Sequence, residues 1–356
     1  MTMSIRIEKS GALKPKPDED KLGFGSYFTD HMFLMNYDTD KGWHDARIVP
    51  YAPLQFDPAA MVFHYGQAIF EGLKAFRTND GRILLFRPDK NAQRFNRSCE
   101  RLCMPEIDEE TFVEAIRAIV RVEADWVPAK AGASLYIRPF IIATEPALGV
   151  RPSKSYLFAV ILSPVGNYYG EGLKPVNIRV ESDFVRAVRG GIGNAKTAAN
   201  YVGGLKAQEI AAADNCAQVL WLDGVERKYI EEVGSMNVFF KINGKVITPA
   251  LNGSILDGVT RQSVIRLLEE WGIPVVEAKI AIDDVLAAVK DGTLEEAFGT
   301  GTAAVISAVG GLHANGSMHV INRGEIGELT SRLYDAITGI QAGKLEDSLG
   351  WTVDCG

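Results

Sequence analysis

A lysine that follows a glycine-rich turn and leads into small residues has the makings of an amine nucleophile. Residues 189–197 read Arg-Gly-Gly-Ile-Gly-Asn-Ala-Lys-Thr, and Lys196 runs on into Thr197-Ala198-Ala199-Asn200-Tyr201. The pattern predicts a helix from about Thr197 to Ala213 with Lys196 at its entrance. There the positive end of the helix dipole and partial burial would disfavour the ammonium and suit the amine to attack an aldehyde. A surface lysine with its stem laid along the protein satisfies the same pattern. Two phosphate motifs nearly fit the turn and fail. A P-loop needs glycine before its lysine, where Ala195 stands, and a dinucleotide fingerprint needs glycine or alanine where Lys196 stands.

A second candidate is Glu231-Glu232, in an extended run ending at Val233-Gly234-Ser235-Met236-Asn237. Side chains alternate along a strand, so one carboxylate is expected in solvent and the other inward beside a cation. The N–H⁺ of a heteroaromatic ring would serve. Asp257-Gly258-Val259-Thr260-Arg261 enters a helix and forms an anion seat from free N–H groups and the Thr260 hydroxyl. Phe298-Gly299-Thr300-Gly301-Thr302-Ala303-Ala304 offers a further cluster of N–H and hydroxyl donors. Arg94 could add a fork-shaped phosphate donor.

These groups must be carried by alternating strands and helices. Strands are predicted at 32–37, 46–51, 73–77, 82–87, 134–144, 155–165 and 176–181, with Asp80-Gly81 and Asn243-Gly244 as hairpin turns. Helical period marks 89–104, a following helix capped by Asp108, and segments 260–271, 283–290 and 325–340. Residues 166–175 lack periodicity and read as an interdomain connection. The domains are therefore a flexible tail at 1–22, a small α/β domain at 23–165, and a larger domain at 176–356.

The chain has 356 residues, 47% hydrophobic and 23% charged, with a net charge of −7. Such a chain builds its own core, and its charge gives nucleic acid or an anionic membrane no general hold. Residues 1–21 have no apolar h-region, and the run 156–162 is too short to span a bilayer. A cytoplasmic α/β protein is expected. Cys99, Cys103, Cys216 and Cys355 form no C-x-x-C pair, so neither a disulfide framework nor a metal site is indicated.

Taken in order, the motifs resemble the branched-chain amino acid aminotransferases, class IV enzymes that use pyridoxal 5′-phosphate. The resemblance runs from about Phe24 to Tyr334. It is carried by Phe24-Gly25, His64-Tyr65-Gly66-Gln67-Ala68-Ile69-Phe70-Glu71-Gly72-Leu73-Lys74-Ala75-Phe76-Arg77, Tyr136-Ile137-Arg138-Pro139, Glu145-Pro146-Ala147-Leu148-Gly149-Val150, and the lysine, Glu232, 258–263 and 299–303 segments. It implies an α+β or α/β fold of the D-amino-acid-aminotransferase type. The expected parts are a small N-terminal α/β domain and a larger, β-rich C-terminal domain with helices.

The resemblance also implies roles. Lys196 matches the Schiff-base lysine and proton carrier, Glu232 the partner of the pyridine nitrogen, and Tyr201 the partner of the ring's phenolic oxygen. Arg94, Val259, Thr260 and Thr302 match phosphate-binding positions. Phe24, Tyr65, Phe70, Tyr136 and Val150 match an apolar substrate pocket, Tyr65 and Val150 partly from the neighbouring subunit of a homodimer. Arg138 matches a site arginine that helps accept a second carboxylate. Thr302 and Ala303 match the seat of the α-carboxylate, and Lys74 and Ser235 further pocket positions. The implied reaction is reversible, ping-pong transfer between leucine, isoleucine or valine and 2-oxoglutarate, giving branched-chain 2-oxo acids and glutamate. Ala304 and Ser307 replace the redox-sensitive C-x-x-C of some animal members, which removes that thiol switch. A D-amino-acid transaminase or an aminodeoxychorismate lyase of the same fold is the alternative. Outside the fold, the alternatives are a nicotinamide-dependent oxidoreductase and a non-catalytic binding module.

Overall fold

A computed structural model describes residues 4–166 and 173–356. They form two compact units. The first holds the described residues up to 166 together with Ala195–Ala198 and Gly339–Gly356; the second holds residues 173–194 and Ala199–Thr338. Most of the connection expected at 166–175 therefore lies outside the described residues.

In the first unit the strands are β1 (Arg6–Ile7), β2 (His31–Asp38), β3 (Gly42–Pro50), β4 (Ala68–Phe70), β5 (Leu73–Arg77), β6 (Ile83–Phe86), β7 (Ser134–Ala143) and β8 (Ser155–Val165). The helices are α1 (Met61–Tyr65), α2 (Pro88–Arg101) and α3 (Glu109–Val122). The strands order as β1-β3-β2-β8-β7-β5-β6, followed by the terminal strand Thr352–Asp354, with β4 paired to β7. Nearly all neighbours are antiparallel, and the consecutive strands β2 and β3, β5 and β6, and β7 and β8 pair directly; Gly81 turns β5 into β6 at a φ of 87°. Asp108 caps α3 by accepting the Thr111 N–H at 3.0 Å. Phe95 of α2 and Phe112 of α3 bury their rings against Phe158 of β8, with centroids 5.6 and 5.9 Å away. Each such ring contributes roughly 1.5–3 kcal/mol of burial.

Two expectations about this unit are corrected. The leading segment is no loose tail. The β1 strand pairs in parallel with β3, the Ser10 N–H donates to His31 Nε2 at 2.8 Å, the Lys14 N–H donates to Asp30 at 2.7 Å, and Leu22 is buried. The chain's end also returns to this unit, because Thr352–Asp354 pairs with β6 and completes its edge. Long-range strand pairing decides both, and local periodicity carries no trace of it.

The second unit contains β9 (Val176–Val180), β10 (Gln218–Leu222), β11 (Ile230–Val233), β12 (Met236–Ile242), β13 (Lys245–Pro249), β14 (Val275–Ala278), β15 (Leu294–Gly301), β16 (Val305–Ala314) and β17 (Ser317–Val320). Its helices are α4 (Ala198–Val202), α5 (Leu205–Ala213), α6 (Val259–Glu270), α7 (Ile282–Asp291) and α8 (Glu328–Gln341), α4 and α8 each extending into the first unit's segments. The strand order β11-β10-β9-β16-β15-β12 is closed by a β11–β12 pairing, so these strands form a barrel, with β13, β14 and β17 appended. Closure leaves those strands no open edge. The helix expected over 197–213 is two helices, α4 and α5, interrupted at Gly203-Gly204. Glycine costs a helix interior about 1 kcal/mol. At Gly204 a Cβ would also meet the Trp221 ring at 3.2 Å.

Candidate active site

Lys196 lies in an extended segment of the first unit, ahead of the five-residue α4 and not at a long helix's entrance. Its N–H donates to Ser98 Oγ at 2.9 Å and its carbonyl accepts the Phe70 N–H at 3.0 Å. Thr197 bridges to Ile69 and donates its hydroxyl to the Ala68 carbonyl at 2.7 Å. The backbone around the lysine is thus laced to β4 and α2, which fixes where its stem begins. Its Nζ sits 4.9 Å from the Phe70 ring centroid. The amine therefore meets an aromatic face and a nearby carboxylate, and the helix it precedes is a short one in place of the long helix expected.

That carboxylate belongs to Glu71, which sequence reasoning passed over. Glu71 is fully buried and accepts from Arg94 Nε at 2.7 Å, Arg94 Nη2 at 2.9 Å and Asn91 Nδ2 at 2.7 Å. Burial pushes its carboxyl up, but Arg94 beside it and the charge of Lys196 outweigh this and hold it below the usual carboxylate range. A buried bidentate pair of this kind orients both partners. Glu71→Gln should cost about 2 kcal/mol, because an amide nitrogen would then face Arg94 and Asn91. A urea melt of the variant reads this directly, and an unchanged midpoint would show that the pair does not constrain the fold.

One face of the same sheet gathers the predicted pocket. Along β7 the residues Leu135, Ile137, Ile141 and Ala143 point into the core, so Tyr136, Arg138 and Phe140 share the opposite face. Lys74 is the cross-strand partner of Tyr136, and Phe70 that of Phe140. Arg138 donates to the Tyr136 hydroxyl at 2.9 Å and lies 4.6 Å from the Phe70 centroid. Phe24 packs edge-on against Tyr136, with centroids 5.0 Å apart. Gly72 is required here, since any Cβ would fall 2.2 Å from the Tyr136 hydroxyl. Burial lowers the Lys74 ammonium to about 8. Five of the expected residues therefore share one face, with rings and two cations side by side.

Tyr65 and Val150 are placed differently. Tyr65 donates to the Leu148 carbonyl, and Val150 is 84% exposed. With Phe63 and Leu148 they make an exposed apolar group where α1 meets the 145–150 loop.

In the second unit, both Glu231 and Glu232 are buried, which corrects the expectation that one faces solvent. Glu232 accepts the Leu256 N–H at 2.7 Å and stands 3.2 Å from Arg186 Nε. Arg186 is a further residue that sequence reasoning missed. Across the barrel wall Glu232 is registered with Asn237, and Asn237 with Thr300. The Thr300 hydroxyl, on that same row, is buried without a hydrogen-bond partner.

Tyr201 is half-buried on α4, and Ser235 is exposed in the β11–β12 turn. Val259 and Thr260 open α6, whose N-cap Gly258 has extended backbone and no side chain to satisfy the first-turn N–H groups. Thr302 and Ala303 form the β15–β16 turn, which ends on Val305 at a φ of 61°. Left-handed backbone at a β-branched residue is strained, and such strain persists only where surrounding structure imposes it. This donor set suits a phosphorylated, nitrogen-containing ring: a carboxylate for the nitrogen, an uncapped helix start for the phosphate, and an unpartnered hydroxyl on the same barrel face.

Residues 68–311 match the family model described as amino-transferase class IV. Over 351 residues the sequence is 62% identical to branched-chain-amino-acid aminotransferase 2 of Bacillus subtilis, covering 99% of this chain and 97% of that one. The chain belongs to the branched-chain amino acid aminotransferases of class IV. Solved members of this aminotransferase family share the fold. The Escherichia coli branched-chain amino acid aminotransferase superposes with a TM-score of 0.74 at 26% identity, covering 92% of this chain and 99% of that one. The Thermobaculum terrenum branched-chain amino acid aminotransferase, in its PLP-form, gives 0.75 at 23% identity over 92% and 98%. Among the described residues, no helix of this aminotransferase is long and apolar enough to cross a membrane.

Proposed function

We propose that this aminotransferase moves the amino group reversibly between branched-chain L-amino acids and 2-oxoglutarate, with pyridoxal 5′-phosphate as cofactor. The observation that carries the substrate reading is the shared face of Phe24, Phe70 and Tyr136 with Lys74 and Arg138. The rings form a wall for an aliphatic side chain, and the two cations can receive a second carboxylate. Such a wall separates aliphatic substrates by only ~1–3 kcal/mol per methylene, so leucine, isoleucine and valine should all be accepted.

Each residue has a task within this reading. Lys196 anchors the cofactor and carries the proton to and from the substrate α-carbon. Glu232 keeps the ring nitrogen protonated, and Tyr201 donates to the ring's phenolic oxygen. Val259, Thr260, Thr302 and Arg94 are the residues assigned to the phosphate. Thr302 and Ala303 receive the substrate α-carboxylate, and Ser235 is assigned to the substrate pocket as well. When bound, the protonated ring supplies an electron sink for the α-carbon. The exposed group Phe63, Tyr65, Leu148 and Val150 is the surface that a second copy would cover in a homodimer. The four free cysteines fit a reducing, cytoplasmic setting.

Initial rates with L-leucine and D-alanine, each with 2-oxoglutarate, test the reading. At least about a hundredfold preference for L-leucine is expected, some 2.7 kcal/mol of discrimination; preference for D-alanine rejects it. A pH series tests the cations. Lys74, held at about 8 by burial, is charged at neutral pH and loses its proton above that value. KM for 2-oxoglutarate should therefore rise towards about tenfold per pH unit above 8, while KM for leucine stays flat. Parallel profiles for both substrates would remove Lys74 from carboxylate recognition.

A further inference from the structure

Glu231 is a buried carboxylate to which the proposed chemistry assigns nothing. Its Oε1 accepts from Asn252 Nδ2 at 3.0 Å and from the Ser254 hydroxyl, while its Oε2 is buried without a hydrogen-bond partner. Its neighbour Glu232 takes the Leu256 N–H, and Asn237 Nδ2 donates to the Leu256 carbonyl at 2.8 Å. Two consecutive residues of β11 thus grip both ends of the loop 252–256. That loop runs through Asp257 into Gly258, the N-cap of α6. Neither end of the path has slack. The Ser254 carbonyl accepts from Arg186 Nη2 and lies where a Cβ on Gly193 would fall, at 2.2 Å; a Cβ on Gly258 would meet Asn237 Oδ1 at 2.0 Å.

We infer that Glu231 is a positioning residue: through Asn252 and Ser254 it places the first turn of α6, and so sets affinity for the cofactor's phosphate without touching it. This rests on the reading of Val259 and Thr260 as the phosphate seat. A carboxylate accepts both donors through one oxygen. A glutamine keeps that acceptor and a smaller apolar residue removes it, which separates placement from charge.

The test compares pyridoxal 5′-phosphate with pyridoxal, which lacks the phosphate, binding to the resolved and reconstituted enzyme. Glu231→Ala and Ser254→Ala should each weaken pyridoxal 5′-phosphate about tenfold and leave pyridoxal within about twofold, a change confined to phosphate binding. Glu231→Gln should restore wild-type affinity. The melting temperature is recorded alongside, since a merely structural role would lower it without separating the two ligands. Should one alanine variant fail to fold, the other carries the comparison. Equal weakening of both ligands, or no weakening of either, overturns the inference. If the wild-type enzyme binds the two equally, the phosphate-seat reading itself falls.

Discussion

Lys196→Ala is expected to abolish transamination, lowering kcat/KM for L-leucine by at least about 10⁴-fold, or some 5.4 kcal/mol of transition-state stabilisation. In the proposed reading this amine both anchors the cofactor and moves the α-proton, and no other residue assigned to the site replaces it. The fold should survive, because the contacts that hold this segment are made by backbone: the N–H of residue 196 to Ser98 and its carbonyl to Phe70. Alanine keeps both, and Glu71 keeps its pairing with Arg94. Steady-state rates and a thermal melt check the two halves together. A variant that turns over within about tenfold of wild type would remove the lysine from the chemistry. A variant that fails to fold would make its role structural.

Glu232→Gln is the second large effect. The amide oxygen can still accept the Leu256 N–H, so the loop should hold its place. What is lost is the negative charge, which stands 3.2 Å from Arg186 and which the proposed function assigns to keeping the ring nitrogen protonated. Without it the electron sink weakens, and kcat should fall roughly a thousandfold, about 4 kcal/mol, with cofactor affinity changed far less. The proton-transfer step should become rate-limiting, so L-leucine deuterated at the α-carbon should give a larger isotope effect on the variant than on wild type. Equal losses in kcat and cofactor affinity, with an unchanged isotope effect, would show that the carboxylate only supports the structure.

Local signals in the sequence carried much of the fold. The Asp80-Gly81 and Asn243-Gly244 turns join the strands they were expected to join, and the runs expected at 134–144 and 155–165 are the long central strands β7, which ends one residue earlier, and β8. Asp108 caps its helix as its position implies. These features depend on a few adjacent residues, so periodicity and turn chemistry suffice.

What the sequence hid depends on distant partners. Nothing near Arg6 announces β3, and nothing near Thr352 announces β6. Closure of the barrel needs β9 to pair with β16 and β12 with β15, partners far apart along the chain. The same holds in the site. Alternation predicted one solvated glutamate at 231–232, but the loop 252–256 folds over that strand and buries both. Glu71 was only a letter in a motif until α2 brought Arg94 and Asn91 against it. The helix expected after Lys196 does begin at Ala198, but Gly203-Gly204 interrupts it after five residues, a break that helical periodicity alone does not show.

The most direct measurement is borohydride reduction of the purified enzyme followed by peptide mapping. The expected result is loss of the visible absorbance band and a phosphopyridoxyl group fixed on Lys196 alone. A label on a different lysine, or a protein that carries no vitamin B6 at all, would contradict the role given to this amine.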